Sequence, residues 1–207
     1  MLLAFDTASP QVTVALHDGA DVVAELTSER EMKHGEQLAP LIEAVMARAG
    51  IVRQDLTAIG VGVGPGPFTG LRVGLVTART LGHVLELPVY GVCSLDVLAV
   101  EAGRPGELVV ATDARRKEVY LASYVDGVRV AGPVVAKPAT VATELPVVGE
   151  GGALYPADFP HHTGPMRPSA GWLARVVSEE LAELCDPEPM YLRRPDTEAP
   201  RPPKRVS

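Results

Sequence analysis

The order of predicted strands and helices over the first hundred residues constrains the fold of this chain more than any other feature. Three short segments, 2–6, 12–16 and 22–27, are apolar or alternate in polarity and are separated by turn residues, which predicts an antiparallel meander. A helical pattern then covers 36–49 and stops at Gly50. Strands at 56–63 and 88–92 alternate with helices at 69–85 and 94–102. This order predicts a mixed sheet covered by helices.

A second set of elements follows the turn-forming segment 103–106. Strands are predicted at 107–112, 117–125 and 128–135, with Asp126-Gly127 as a hairpin turn between the last two. Helices are predicted at 138–145 and 171–184. We therefore expect an α/β protein with two lobes, each a mixed sheet with helices. The predicted boundaries are 1–103 for the first lobe, 104–194 for the smaller second lobe and 195–207 for a flexible tail rich in proline and arginine.

Composition places the chain among ordinary globular proteins. Hydrophobic residues make up 46% of the 207 positions but aromatic residues only 4%, so alanine, valine and leucine must fill the core. No apolar run approaches the roughly 18 residues that a membrane span requires, and the opening segment resembles a strand more than a signal peptide. Cys93 and Cys185 do not form a disulfide or zinc pattern. We expect a cytoplasmic protein.

Charge is distributed unevenly along the chain. The net charge is −7, yet residues 193–207 contain five cations and two acids, so the preceding part is strongly acidic. An acidic surface repels phosphate backbones, which makes general nucleic-acid binding by this chain unexpected. The basic tail is expected to be solvated and disordered, and to add only a modest electrostatic contribution to RNA association.

Two loops have features of phosphate-binding segments. Asp6-Thr7 closes the first strand and resembles the first phosphate loop of the actin/Hsp70/sugar-kinase superfold, although an aspartate there more often satisfies a turn. The glycine-rich loop that starts at Gly62 lies between a strand and a helix, where backbone amides suit anions. Two prolines in that loop remove amides from such a cradle, so a tight structural turn is an equal alternative. The candidate residues of a vestigial nucleotide site are Asp6, Thr7, Gly64 and Gly66.

The helix after this loop has small residues at four-residue spacing, namely Gly70, Gly74, Ala78 and Gly82, and Thr69 is its expected N-cap. Each interior glycine costs roughly 1 kcal/mol of helix propensity relative to alanine, so another element must approach closely to compensate. That element belongs either to the chain's own fold or to a partner. The bulky apolar residues of the helix occupy more than one face, which is typical of a helix packed on two sides.

Six segments resemble the TsaB (YeaZ) family in order and spacing. They are 2–9, 34–40, 62–72, 89–95, 113–120 and 189–193. The resemblance implies an actin/Hsp70-like (ASKHA) fold and a role as non-catalytic partner of a TsaD-type subunit. That subunit, supported by a TsaE-type ATPase, transfers threonylcarbamoyl from threonylcarbamoyl-AMP to N6 of adenosine 37 in tRNA. The chain would contact tRNA through the complex and would form a homodimer when alone.

The predicted partner interface lies on the helices at 36–49 and 68–86. Its expected residues are Leu38, Leu41, Ile42, Val45, Leu71, Gly74, Leu75, Ala78 and Gly82.

Catalytic and metal-binding residues are not expected in this chain. TsaD-like chains carry a His-x-x-x-His pair just after a strand that resembles 89–92, and those histidines hold a metal ion. The matching positions here are Ser94 and Leu98, and leucine cannot bind a metal. The resemblance therefore implies that ATP and metal bind to the partner subunits and that this chain needs no cofactor.

Two other functions compete with this one. The first is a small ATPase or kinase of the same superfold acting through Asp6 and the glycine-rich loop, which is disfavoured because the second lobe has no recognisable second phosphate loop. The second is an interaction module unrelated to tRNA. Hydrolase chemistry has little support, since the sequence has no G-x-S-x-G elbow.

Overall fold

A computed structural model describes residues 1–29 and 33–193, and the predicted flexible tail at 195–207 lies outside these residues. The strands are β1 (Leu2–Asp6), β2 (Thr13–His17), β3 (Val22–Thr27), β4 (Ala58–Gly64), β5 (Val89–Cys93), β6 (Glu107–Asp113), β7 (Val119–Val125), β8 (Val128–Ala136), β9 (Val147–Val148) and β10 (Leu184–Cys185). The α-helices are α1 (His34–Ala49), α2 (Phe68–Leu85), α3 (Ser94–Ala102), α4 (Glu150–Leu154) and α5 (Ala170–Glu179). Two sheets with helical cover confirm the predicted α/β class.

The first sheet is mixed and has the order β10-β5-β4-β1-β2-β3. Strands β1, β2 and β3 form the predicted antiparallel meander, while β4 pairs parallel with both β1 and β5. All five residues of β1 are buried, because helices cover both faces of the sheet. Leu3 and Phe5 pack under α1 and α2, whereas Leu2 and Ala4 pack under α5.

The second sheet has the order β8-β7-β6-β9 and is also mixed, since β6 pairs antiparallel with β7 and parallel with β9. One face packs on α3 and the other on Phe159 and its neighbours. The chain then returns to the first sheet, where α5 packs and β10 pairs with β5. The division at residue 103 into two lobes stays a prediction.

Several element boundaries differ from the sequence prediction. Helix α2 begins at Phe68 with Pro67 at its N-cap, so Thr69 lies inside the first turn and is not the cap. The helix predicted at 138–145 is a single 3₁₀ turn at Pro138–Thr140. Helix α5 starts as predicted after Ser169, whose hydroxyl accepts the Trp172 N–H at 3.0 Å, but it ends at Glu179 because Glu180 adopts a left-handed conformation.

Within residues 1–29 and 33–193, no helix combines the length and the hydropathy that crossing a bilayer requires.

Glu101 on α3 gives the fold a pH dependence that can be measured. Burial, with a smaller contribution from Glu25, raises the pKa of Glu101 from 4.5 to about 7, and its Oε2 has no hydrogen-bond partner among the described residues. Between pH 4.5 and 7 the folded state therefore holds more protons than the unfolded state, and the free energy of unfolding falls as pH rises. The side chain is only partly buried, so solvent screens part of this effect and we expect a loss on the order of 1 kcal/mol.

Glu101→Gln should flatten this dependence. Urea unfolding at pH 5 and at pH 8 should show the variant gaining stability relative to the wild type only at the higher pH. An equal difference between variant and wild type at both pH values would contradict the proposed titration.

Candidate functional site

The carboxylate of Asp6 lies at the centre of the predicted nucleotide site and is fully buried. Its Oδ2 accepts a hydrogen bond from the Ser94 hydroxyl at 2.5 Å, and its Oδ1 accepts one from the Ala8 N–H at 2.6 Å. Burial raises the pKa of Asp6, and these two hydrogen bonds partly oppose that rise. The carboxylate therefore serves the interior of the fold and has no oxygen left facing a cleft.

The two candidate phosphate loops pack directly on each other. The Thr7 hydroxyl donates to the Gly70 carbonyl oxygen at 2.8 Å. A Cβ placed on Gly66 would lie 2.4 Å from the Ala8 carbonyl oxygen, so the glycine-rich loop touches the β1–β2 loop. Gly64 has a φ of +97° and packs against Leu71. The structure thus packs Thr7 on Gly70 and Gly66 on Ala8, with Gly64 beside Gly66, and Gly66 also lines an open cleft.

The small-residue stripe of α2 faces the chain's own first sheet. A Cβ on Gly74 would lie 2.4 Å from the Thr7 Oγ1, and a Cβ on Gly82 would lie 2.4 Å from a methyl group of Val89. Ala78 is fully buried. Close approach of Thr7, just after β1, and of Val89 in β5 therefore explains the stripe, and no partner helix is needed to explain it.

This packing corrects the predicted set of interface side chains. Eight of the nine predicted residues are buried within this chain, and Leu41 alone among them stays partly exposed. The buried eight are Leu38, Ile42, Val45, Leu71, Gly74, Leu75, Ala78 and Gly82. Helical periodicity indicates an apolar face but does not distinguish the chain's own sheet from a partner, and here the sheet occupies that face.

The same two helices expose a different apolar surface, which we call the α1–α2 ridge. On α2, Val76 and Val84 are 61% and 69% exposed, and Val73 and Leu81 are partly exposed. Leu41 and Met46 are partly exposed on α1, and Met46 and Leu81 line one cleft between the helices. The ridge consists of Leu41, Met46, Val73, Val76, Leu81 and Val84.

A segment near the end of the described chain, here called the strap (residues 186–193), ties the two sheets together. The Met190 N–H donates to the Val63 carbonyl oxygen at 2.9 Å, and the Arg79 Nε donates to the Pro187 carbonyl oxygen at 2.8 Å. At its far end Arg193 donates to the Ala114 carbonyl oxygen at 2.8 Å, in the turn between β6 and β7. The sequence resemblance included this segment, but no pattern in it predicted a bridge.

Beside the strap is a cleft of about 680 Å³, counted to its open mouth. Aromatic and basic side chains line it, and the Phe68 and Tyr191 rings lie 5.0 Å apart with the Arg72 guanidinium 3.6 Å above the Phe68 ring. The cleft includes Phe68, Arg115, Arg116, Tyr120, Tyr191 and Arg193. We call it the basic cleft, and sequence reasoning did not predict it.

One serine–histidine pair was also not predicted. The Ser178 hydroxyl lies 3.2 Å from the Nδ1 of His17, at the edge of a cleft between the start of β1 and the end of α5. That nitrogen already accepts the Gly19 N–H at 3.0 Å, so its lone pair is shared and is poorly placed to take a proton from serine. The pair has the geometry of a packing contact.

Ser94 and Leu98, the positions that match the metal-binding histidines of TsaD-like chains, both lie in the interior. Ser94 donates to Asp6, and Leu98 is fully buried in the core between α3 and the second sheet. Among residues 1–29 and 33–193, no three histidine, cysteine, aspartate or glutamate side chains converge on one point.

Comparison with protein families gives a match over residues 21–161 to the model described as TsaD, tRNA N6-adenosine threonylcarbamoyltransferase. An uncharacterized protein of Mycobacterium tuberculosis is 42% identical over 94% of this chain and 92% of its own length. The tRNA threonylcarbamoyladenosine biosynthesis protein TsaB of Escherichia coli is 36% identical over 59% of this chain and 54% of its own length.

Solved structures agree with these sequence matches. YeaZ from Pseudomonas aeruginosa superposes with a TM-score of 0.73 at 28% identity and covers 92% of this chain and 99% of that protein. A second Pseudomonas aeruginosa structure, described as similar to peptidase YeaZ, gives a TM-score of 0.78 at 27% identity, with 93% and 99% coverage. This likeness confirms the predicted fold class.

Proposed function

Since this chain belongs to the TsaB (YeaZ) family, within the group that the TsaD threonylcarbamoyltransferase model describes, we propose that it is a non-catalytic subunit of tRNA threonylcarbamoyladenosine biosynthesis. In this role it pairs with a TsaD-type catalytic subunit and stabilises that subunit's active form. The catalytic subunit then transfers threonylcarbamoyl from its adenylate to N6 of adenosine 37. ATP and metal bind to the other subunits, including a TsaE-type ATPase.

The observation that carries the non-catalytic assignment is the packing of the two loops in the predicted nucleotide site. In an ATPase of this superfold, the carboxylate after the first strand must reach solvent and a bound nucleotide. Here both oxygens of Asp6 accept hydrogen bonds from the chain itself, and Gly66 closes over Ala8. This geometry favours the subunit over the ATPase alternative, because opening the site would break buried hydrogen bonds.

The α1–α2 ridge is the surface we propose for the TsaD-type partner. Exposing the apolar side chains of Val76 and Val84 to water does not stabilise a monomer. Both lie on one side of a helix whose other side is buried. A related subunit with the same two helices could place them against this ridge. When the partner is absent, the same surface would pair two copies of this chain by two-fold symmetry.

Reconstituted tRNA threonylcarbamoylation tests the proposal. Purified TsaD-type and TsaE-type subunits with threonylcarbamoyl-AMP and tRNA should form threonylcarbamoyladenosine slowly or not at all, and adding this chain should raise the rate at least tenfold. Asp6→Asn should retain the stimulation, because the residue serves packing and not catalysis. ATP turnover by the isolated chain that Asp6→Asn abolishes would instead establish the ATPase alternative.

A further inference from the structure

The basic cleft contrasts with the charge of the rest of the molecule. The whole chain has a net charge of −7, yet four arginines lie in or beside this one cleft. Two nearby acids, Asp113 and Glu118, form ion pairs with Arg115 and Arg193 and so offset part of the charge. Arg115, Arg116 and Arg193 line the cleft, Arg72 lies over the Phe68 ring, and Lys117 follows Arg116 in the same exposed turn. The cleft is therefore locally positive on an acidic protein.

Local charges decide what this cleft attracts. At physiological ionic strength the Debye length is about 8 Å, so acids on distant faces are largely screened at the cleft mouth. The general expectation that an acidic chain repels RNA therefore does not apply here. A phosphate group at the mouth would interact mainly with the arginines and the lysine around it.

The turn between β6 and β7, which carries several of these cations, has an unusual backbone conformation. Arg115, Arg116 and Lys117 have φ angles of 61°, 56° and 60°, so three consecutive residues that are not glycine adopt the left-handed conformation. This conformation is unfavourable for residues that carry a Cβ, and strain of this kind concentrates at functional sites. All three side chains are exposed. Glycine adopts this conformation without strain, and none of the three residues is glycine.

Aromatic rings next to the cations narrow the class of ligand. Tyr191 is 39% exposed and packs against Phe68, while the Arg72 Nε donates to the Tyr191 hydroxyl at 3.2 Å. Unpaired bases stack on exposed aromatic rings, and the phosphates beside them pair with arginine and lysine. An acidic protein segment would use the cations but would gain less from the ring.

We propose that the basic cleft binds the phosphate backbone of tRNA, with an unpaired base against Tyr191, while the chain is assembled with its TsaD-type partner. This inference rests on the proposed function, and it assigns to this chain a direct RNA contact. Elements of both sheets form the basic cleft. Helix α2 and the strap provide the rings, while the turn between β6 and β7 provides most of the cations.

Arg116→Glu tests the inference in the assembled complex. Arg104→Glu is the matched control, because Arg104 is also exposed, lies near the opposite end of β6 and undergoes the same charge change. We expect Arg116→Glu to raise the Kd for tRNA about tenfold at 100 mM salt. The slope of log K against log salt is negative, and the variant should make it shallower by roughly 0.7–0.9 for each phosphate that the cleft no longer neutralises. Arg104→Glu should leave both quantities unchanged, and Lys117→Glu should repeat the effect of Arg116→Glu.

Three results would overturn the inference. The first is equal tRNA binding by Arg116→Glu and Arg104→Glu. The second is weaker assembly of Arg116→Glu with the TsaD-type subunit in the absence of tRNA, which would make the cleft a protein contact. The third is displacement of tRNA by millimolar AMP together with loss of AMP binding in Arg116→Glu, which would make it a mononucleotide site. Failure of the wild-type chain to join the complex would contradict the proposed function instead.

Discussion

Gly62→Ala should destabilise the protein more than any other single methyl group added to the first sheet. A Cβ at this position would lie 1.8 Å from the Oδ2 of Asp6 and 3.0 Å from the Ser94 hydroxyl oxygen. The carboxylate cannot move aside without losing its buried hydrogen bonds to Ser94 and Ala8. Overpacking and an unsatisfied buried carboxylate together cost roughly 3 kcal/mol or more. Thermal unfolding should show a melting temperature lower by about 10 °C.

Gly35→Ala is the matched control for this substitution. A Cβ there would meet only a methyl group of Val73 at 3.9 Å, and the residue lies in α1. Alanine should be neutral or stabilise the helix by up to about 1 kcal/mol. Adding Asp6→Ala to Gly62→Ala should recover part of the lost stability, because the carboxylate that clashes is then gone. A Gly62→Ala protein that melts like the wild type would contradict the packed arrangement around Asp6.

Val76→Arg should weaken binding of the TsaD-type subunit at least tenfold without changing the melting temperature of the isolated chain. Val76 is 61% exposed on the α1–α2 ridge, so a long cationic side chain costs the monomer little. In an apolar interface the same side chain would bury a charge without a partner and prevent close helix packing. Isothermal titration with the purified TsaD-type subunit measures the decrease in affinity.

Val128→Arg controls for a general effect of the substitution. Val128 is 67% exposed and begins β8, at the edge of the second sheet away from the ridge. Its replacement should leave partner affinity unchanged. If both variants bind like the wild type, the partner uses another surface.

Ala78→Trp should give the opposite outcome from Val76→Arg. Ala78 is buried against the chain's own sheet, so the larger side chain should destabilise the monomer itself.

The sequence was most informative where local patterns determine structure. A short apolar run predicted β1, alternating polarity predicted β2 and β3, and helical spacing with Gly50 predicted α1 almost to its ends. Those patterns depend on neighbours within a few residues, and so they can be read directly. The predicted meeting of Asp6 with the glycine-rich loop also occurs, although the contact is closed.

Long-range contacts could not be predicted in the same way. Gly74 and Gly82 have the spacing of an interface stripe, but the spacing is identical whether β1 and β5 or a partner helix approaches them. The basic cleft depends on Tyr191 and Arg116 meeting across 75 residues of sequence. No local sequence pattern predicts that these two residues line one cleft, because their proximity depends on the path of the strap.

The strap also limits how the molecule can move. Proteins built from two lobes commonly open and close about a hinge to admit a ligand. Here Met190 is bonded to β4 while Arg193, three residues later, is bonded to the turn after β6, so the strap spans the line along which such a hinge would open. The Tyr124 hydroxyl donates to Asp96 at 2.7 Å and joins the second sheet to α3 as well. A chain fastened at both places presents its surfaces at a fixed angle, and in the complex proposed above any domain closure would then come from another subunit.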